Sequence, residues 1–436
     1  MKRTITRRAV ALALVFALGA AACGSDDDDA KDTGDETTET TAATDSDSGD
    51  AGDVADDHDD TLAIPTATGP ADDSLEPVVI GMINMDEGTP SYPDVSIGVD
   101  AGVELINAEL GGIHGRPVEI RHCNVGVDQA TNQACAQQFA NDKDVNLVIH
   151  GYVFGSSFIF PILEAAELPV LLQTPLTAAD FNATLAWGFQ GGNAGGTAGT
   201  AGFAAKILDA QDIVVLGADN DATRAAVQTI EALPAMQGRN LSTTYISDSA
   251  TDVTADIQAS GAADADAVLA LVNAPQCVQV AQTLKDLEVG ATIISTATCA
   301  VPATLAEAAE LFEGWHVVGS GLPPLLAEGA SAELDYFRET FPKYGPEEKL
   351  QSFLALGGFG AALAVWDIGN DLPDTLSRAD WAEGLAGFTG PYFGGKNEIS
   401  CPGPHFPAVC DNEVRVFRLD DKGVMTQVQG FFDALS

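Results

Sequence analysis

The sequence predicts an α/β protein built as two doubly wound parallel-sheet lobes. Three observations carry that reading. Short apolar runs alternate with stretches of helical periodicity, the order that gives right-handed crossovers over a parallel sheet. The alternation starts afresh near Gly191, so there are two rounds rather than one. Some 360 residues follow Glu76, too many for one ordinary core and enough for two domains.

In chain order, "PVVIGMI" at 77–83 reads as a buried strand. Ile97, Val99, Val103, Leu105 and Ile106 place a helix over 96–109. "HGRPVEIRHCN" is the second strand, "DQATNQACAQQFAND" the second helix, and "VNLVIHG" the third strand. A helix over 157–168 leads to "LPVLLQT", the fourth strand. The second round opens with a helix through "AGTAGFAAKIL" and the strand "DIVVLGAD". A helix at 222–237 and the strand "STTYIS" follow, then "ADIQASGAADADAVLALV" and a helix at 276–288. "ATIIST", a helix at 302–311 and "GWHVVGSG" complete it. Ligands of open α/β sheets bind beyond the carboxyl ends of the strands, so two facing lobes are expected to enclose one small molecule between them.

The N-terminus carries an address. Lys2, Arg3, Arg7 and Arg8 precede the apolar run "AVALALVFALGAA", which ends in small residues at Cys23. This describes a secretory signal over residues 1–22, too short to span a hydrocarbon core that needs roughly 20 apolar residues. "GAAAC" resembles a bacterial lipobox, in which the cysteine becomes the acylated first residue, although Ala20 stands where leucine is usual. Lipidation is therefore expected at Cys23. Between Gly24 and Glu76 there are 19 acids and one base, Lys31, and residues 23–76 are expected to be a disordered acidic tether. "DDDD" at 26–29 has no fixed ligand geometry for a cation.

From Pro77 onward 45 acids face 15 bases. With no basic stripe to neutralise phosphates, nucleic acid is excluded as a partner, and docking on anionic lipid by charge is disfavoured. Apart from Cys23, six cysteines remain in an exported chain, where disulfides form. They fall as near neighbours, but six cysteines allow fifteen connectivities and the sequence leaves them open. His405 lies inside "CPGPHFPAVC" without a Cys-x-x-Cys pair or a second histidine at finger spacing. No metal and no cofactor are expected. "GGNAGGTAGTAG" lacks the acid that a dinucleotide site needs. No G-x-S-x-G elbow or HExxH motif is present, and the histidines are scattered. The reading is of a binding protein rather than an enzyme.

Over about 77–432 the chain resembles type I periplasmic solute-binding proteins, of the branch that includes leucine/isoleucine/valine-binding proteins of ABC importers. "VVIGMINMDEGTPSYPDVSIGVDAGVELINAELGGIHGRPVEI" resembles the family's opening strand, ligand loop, helix and turn. "CNVGVDQATNQACAQQFANDKDVNLVIHG", "CVQVAQTLKDLEVGATIISTATC" and "CPGPHFPAVCDNEVRVFRL" resemble its disulfide-bearing units, and "LPVLLQTPLTAADFN" its cleft loop. The resemblance implies pairs Cys123–Cys135, Cys277–Cys299 and Cys401–Cys410. It also implies a three-strand hinge at "GFQGGN", "VVGSG" and "FTGPYFG". One lobe would hold 77–191 with 320–385 and the other 192–319 with 386–436. Closure on ligand is the motion such a hinge permits.

The resemblance points to ligand residues as well. Ser156 and Ser157 open a helix where the family holds a carboxylate, one of the two serving as the cap. Thr174, Thr177 and the Leu176 backbone occupy the place of further carboxylate contacts, and Tyr92 that of an aromatic over the ligand. In the second lobe the usual acid for an ammonium group is missing: Ala297, Thr298 and Cys299 stand there. Asp219, Asp221 and Asn273 lie at other strand ends and could substitute, with Thr298 at the cleft wall. An unpaired buried ammonium is costly, so a neutral or anionic solute becomes a rival to an amino acid. The resemblance implies a monomeric, extracytoplasmic, lipid-anchored substrate-binding protein partnered by ABC permease subunits. A ligand-sensing module for a membrane signalling partner is the alternative, since one fold serves both.

Overall fold

The computed structural model describes residues 61–436 apart from Asp248. The signal segment, Cys23 and the acidic stretch to Asp60 lie outside the described residues. The first lobe is built from β1 (Val78–Asn84), α1 (Asp94–Ala108), β2 (Val118–Asn124), α2 (Gln129–Asn141) and β3 (Val145–His150). It continues with α3 (Ser156–Ala165), β4 (Val170–Leu172), α4 (Ala178–Asn182) and β5 (Ala186–Gly188). The strands run parallel in the order β2-β1-β3-β4-β5. Every residue of β1 is buried, because helices cover both faces of a parallel sheet; hence the unbroken apolar run. Asp128 and Thr177 start α2 and α4 by accepting the amides of Thr131 and Asp180.

The second lobe begins with α5 (Gly192–Gly202), extended by a π turn over Phe203–Ile207. It proceeds through β6 (Asp212–Ala218), α6 (Asp221–Ala232), β7 (Asn240–Ile246), α7 (Thr254–Ser260) and β8 (Ala267–Leu271). Next come α8 (Ala274–Asp286), β9 (Thr292–Thr296), α9 (Pro302–Ala308) and β10 (His316–Gly319). The chain then adds α10 (Ala332–Thr340), α11 (Phe353–Asp371) and α12 (Arg378–Ala386) to the first lobe. α11 packs on α1. The Arg378 guanidinium donates to the carbonyls of Val145, Ala166 and Asp142, tying α12 to β3 and to the ends of α2 and α3. α11 is long and apolar enough to cross a membrane, but it is mostly buried in the protein core.

A two-residue ladder joins β11 (Thr389–Gly390) to β12 (Ile399–Ser400). β13 (Glu413–Leu419) and β14 (Met425–Asp433) complete the second sheet, ordered β14-β13-β10-β9-β8-β6-β7. β13 and β14 are antiparallel to their neighbours, so this sheet is mixed rather than wholly parallel.

One expected boundary shifts and one segment bridges the lobes. Residues 68–72, placed in the tether by their composition, hydrogen-bond to the first lobe: Thr68 and Gly69 donate to Glu109, Ala71 to Asn107 and Asp72 to Gly115. Backbone pairing holds them where side-chain burial would not. Residues 401–410, expected in the second lobe, touch both: His405 pairs with Asp433 of β14 at 2.9 Å, and other residues of the segment bond the first lobe. The Gly188 amide donates to Ala408 and the Cys410 amide to Gly188, while Phe406 packs on Phe181 at 4.8 Å. The edge of β5 offers unpaired backbone groups, and this segment satisfies them.

Three segments cross between the sheets side by side. The Leu322 amide donates to the Gly394 carbonyl at 2.7 Å, and a Cβ on Gly321 would meet the Gln190 side chain at 3.1 Å. These are the three places where glycine-rich hinges were expected. Gly394 is gripped from both lobes. Its amide donates to the buried Glu333 carboxylate of α10 at 2.9 Å. Its carbonyl accepts from the buried Arg415 guanidinium of β13 at 3.1 Å.

Candidate functional site

A cavity of about 210 Å³ lies between the lobes, at the carboxyl ends of β4 and β9 and against the crossing segments. The loop after β4 contributes Gln173, Thr174 and Leu176, and the turn after β9 contributes Thr296, Ala297 and Thr298. Gln190, Gly321 and Gly394 form its back wall. Leu322, Leu325, Phe353, Leu356, Phe417 and Met425 give it apolar walls. Among the described residues that line it, none is Asp, Glu, Lys, Arg or His.

The sequence candidates separate into two groups. Thr174, Leu176 and Thr298 line the cavity. The Thr174 hydroxyl donates to the Gln173 side-chain carbonyl at 2.7 Å, and Thr298 accepts from Thr296 at 3.1 Å. The Leu176 amide, however, donates to Asp180 at 3.0 Å, so its backbone donor is already used. Thr177 is spent too. Its hydroxyl and amide both bond Asp180, at 2.9 and 2.6 Å, in the capping box of α4.

The structure does not bring the other candidates to the cavity wall. Ser156 is fully buried, its hydroxyl 3.3 Å from His150 Nε2 and 3.4 Å from the Val153 carbonyl. Ser157 is exposed on the first turn of α3. Neither serine caps that helix, because the cap position is Gly155. A Cβ there would come within 2.1 Å of the Asn132 side chain, so close packing selects glycine over a capping hydroxyl. Asp219 forms an ion pair with Arg224, whose guanidinium lies 4.1 Å from the Tyr245 ring centre. Asp221 sits in the first turn of α6, and Asn273 is exposed at the start of α8. The Tyr92 ring packs tilted against Tyr152, with centroids 4.3 Å apart, and it is Tyr152 that reaches the cavity.

Asn84, buried at the end of β1, organises that aromatic corner. It donates to the Tyr92 carbonyl at 2.9 Å and accepts from the Tyr152 amide at 2.9 Å. Burial pushes the Tyr152 hydroxyl up to about 12. Below the β4 loop, burial lowers the His150 pKa, opposed by the nearby Asp180 charge.

Sequence reading missed Gln173, Gln190 and Tyr152. Gln173 is the immediate neighbour of Thr174 at the same strand end, and that adjacency was the available signal. Gln190 sits inside a crossing segment that read only as a hinge. The six cysteines form the three expected pairs, with Cα–Cα distances of 5.7, 5.4 and 4.5 Å. Cys277–Cys299 ties α8 to the turn carrying Ala297 and Thr298, which steadies the second-lobe wall of the cavity.

A family profile described as periplasmic binding protein matches residues 77–423. No curated protein matches the chain. Solved structures do. An ABC transporter substrate-binding protein from Sphaerobacter thermophilus superposes with a TM-score of 0.69 at 16% identity, over 83% of this chain and 99% of that one. A branched-chain amino acid transporter substrate-binding protein from Streptococcus pneumoniae, in complex with isoleucine, gives 0.63 at 13% identity, over 81% and 100%. A solute-binding protein from R. palustris, in complex with 4-hydroxybenzoate, gives 0.65 at 15% identity, over 83% and 98%. At these identities the likeness establishes the type I fold.

Proposed function

Because the chain belongs to the periplasmic binding protein family, we propose that it is the lipid-anchored, extracytoplasmic substrate-binding subunit of an ABC importer. It captures a small solute between its lobes and hands it to a permease. The cavity walled by both sheets and all three crossing segments carries this reading. A ligand held there touches both lobes, so it stabilises the closed arrangement over the open one, which is the signal a permease needs. Cys23 after the apolar leader supports attachment through lipid, and the acidic stretch behind it supplies reach.

The solute is of the branched-chain amino acid, amide or carboxylate class, in keeping with the isoleucine and 4-hydroxybenzoate held by similar folds. Ligand at about 100 times its dissociation constant adds about 2.7 kcal/mol to stability. A thermal-shift panel of such solutes is therefore expected to raise the melting temperature by a few degrees with at least one member. Cys23→Ser is expected to move the protein from the membrane fraction to the soluble one. A protein that binds its solute but copurifies with a membrane kinase or receptor, and not with a permease, would replace import with sensing.

A further inference from the structure

We infer that the cavity accepts solutes that carry no positive charge: an apolar body with a carboxylate or carboxamide head and no ammonium group. This rests on the reading of the cavity as a solute site and narrows it.

The polar side chains of the cavity walls are amides and hydroxyls, among them Gln173, Gln190, Thr174, Thr298, Tyr152 and Asn193. Side-chain amides and hydroxyls both donate and accept, so they serve an amide or a carboxylate equally. An ammonium has three donors and a full charge, and enclosing it without a counter-charge is unfavourable by a large margin.

The carboxylates of Asp180, Glu333, Asp94 and Asp219 each accept from other groups of the protein. Asp180 has no exposure; its Oδ2 accepts from the Leu176 and Thr177 amides and the Thr177 hydroxyl, while its buried Oδ1 has no protein partner. Glu333 is buried behind Gly394 and accepts its amide. Asp94, near the start of α11, is bound by Lys349 at 2.8 Å and Ser352 at 2.6 Å. Asp219 is paired with Arg224. None is on the cavity wall.

The sign of the remaining field agrees. The first turns of α5 (Gly192, Asn193, Gly196) and α11 (Phe353, Leu356, Gly357) border the cavity, and helix starts carry partial positive charge. That field adds to the handicap of a cation and favours a carboxylate.

The test is titration calorimetry of the full chain with two matched series. One shares a branched aliphatic body: leucine, 4-methylpentanoate, 4-methylpentanamide and 3-methylbutylammonium. The other shares an aromatic body: phenylalanine, 3-phenylpropanoate, 3-phenylpropanamide and 2-phenylethylammonium. The acid or amide of at least one series is expected to bind 100-fold or more tightly than its ammonium-bearing members. Leucine or phenylalanine binding as tightly as its deaminated partner would overturn the inference while leaving the solute-binding reading intact. Binding by neither series, when a broad solute panel also gives no thermal shift, removes both. Thr298→Asp, which sets a carboxylate on the wall, is expected to shift the preference toward the ammonium-bearing members by tenfold or more. An unchanged preference would count against a charge-selective cavity.

Discussion

Gly98 and Gly196 are both helical glycines, and the structure assigns them opposite roles. A Cβ at Gly98 would stand 2.1 Å from the Ala355 carbonyl oxygen, so α1 and α11 meet backbone to backbone. Gly102 and Gly358 repeat the pattern, with distances of 2.6 Å to the Ala362 Cβ and 2.2 Å to the Val95 carbonyl oxygen. Backbone of two buried helices cannot swing aside as a side chain can. Gly98→Ala is therefore expected to lower stability by about 3 kcal/mol, the upper part of the range for overpacking. Around Gly196 nothing lies within 4 Å of the added carbon, and Gly196→Ala is expected to gain about 0.5–1 kcal/mol of helix propensity. Urea unfolding of the two variants checks both, and equal losses would mean that helix contact is not the cause. These positions were illegible in the sequence, because a glycine inside a helical run reads as a weak spot until the partner helix is known. The same holds for Ser156 and Ser157, where the packing of Gly155 on Asn132 displaced the expected cap.

At the scale of elements, the alternation through β10 was legible because the central parallel strands, such as β1, β3 and β6, are buried on two faces and leave unbroken apolar runs. The connection after β10 was less so. Residues 401–410 bridge to the first lobe as well as the second, and the backbone groups that hold them to Gly188 have no signature in side-chain chemistry. The grip on Gly394 was hidden for a similar reason: Glu333 and Arg415 are 82 positions apart in sequence, on different lobes. The two charges hold the two peptide groups that flank the Gly394 Cα. Glu333→Ala leaves the Gly394 amide without this acceptor and removes one charge from a buried arrangement. A loss of about 3 kcal/mol is expected, with a smaller loss for Glu333→Gln, which keeps an acceptor. Equal losses in the two variants would assign the effect to packing volume rather than to the hydrogen bond.

Over the whole molecule a formal net charge of −44 suggests a protein whose response to pH is set by its carboxylates alone. Buried groups complicate that picture. Burial raises Asp411 from 3.8 to about 6, outweighing the Glu413 amide that favours its charged form. Burial lowers His316 from 6.5 to about 4, helped by Arg418 opposite it on β13. For Asp411 the folded state keeps a proton that the unfolded state gives up between pH 3.8 and 6, so stability falls as pH rises through that window. For His316 the unfolded state takes a proton that the folded state refuses between pH 6.5 and 4, so stability falls as pH drops through that window. The two slopes oppose each other, each worth at most about 3 kcal/mol. The buried His150, also lowered by desolvation, adds to the histidine side. The wild-type protein should therefore lose only part of its stability between pH 6.5 and 4. Asp411→Asn is expected to be more stable than wild type by about 2–3 kcal/mol at pH 7, with the advantage gone by pH 4. His316→Gln is expected to show the reverse, gaining on wild type as the pH falls from 6.5 to 4. Urea midpoints at pH 4, 5, 6 and 7 measure both differences. A pH-independent gap for Asp411→Asn would mean that the carboxyl is ionised in the fold throughout, and that its position beside the crossing segments carries no proton.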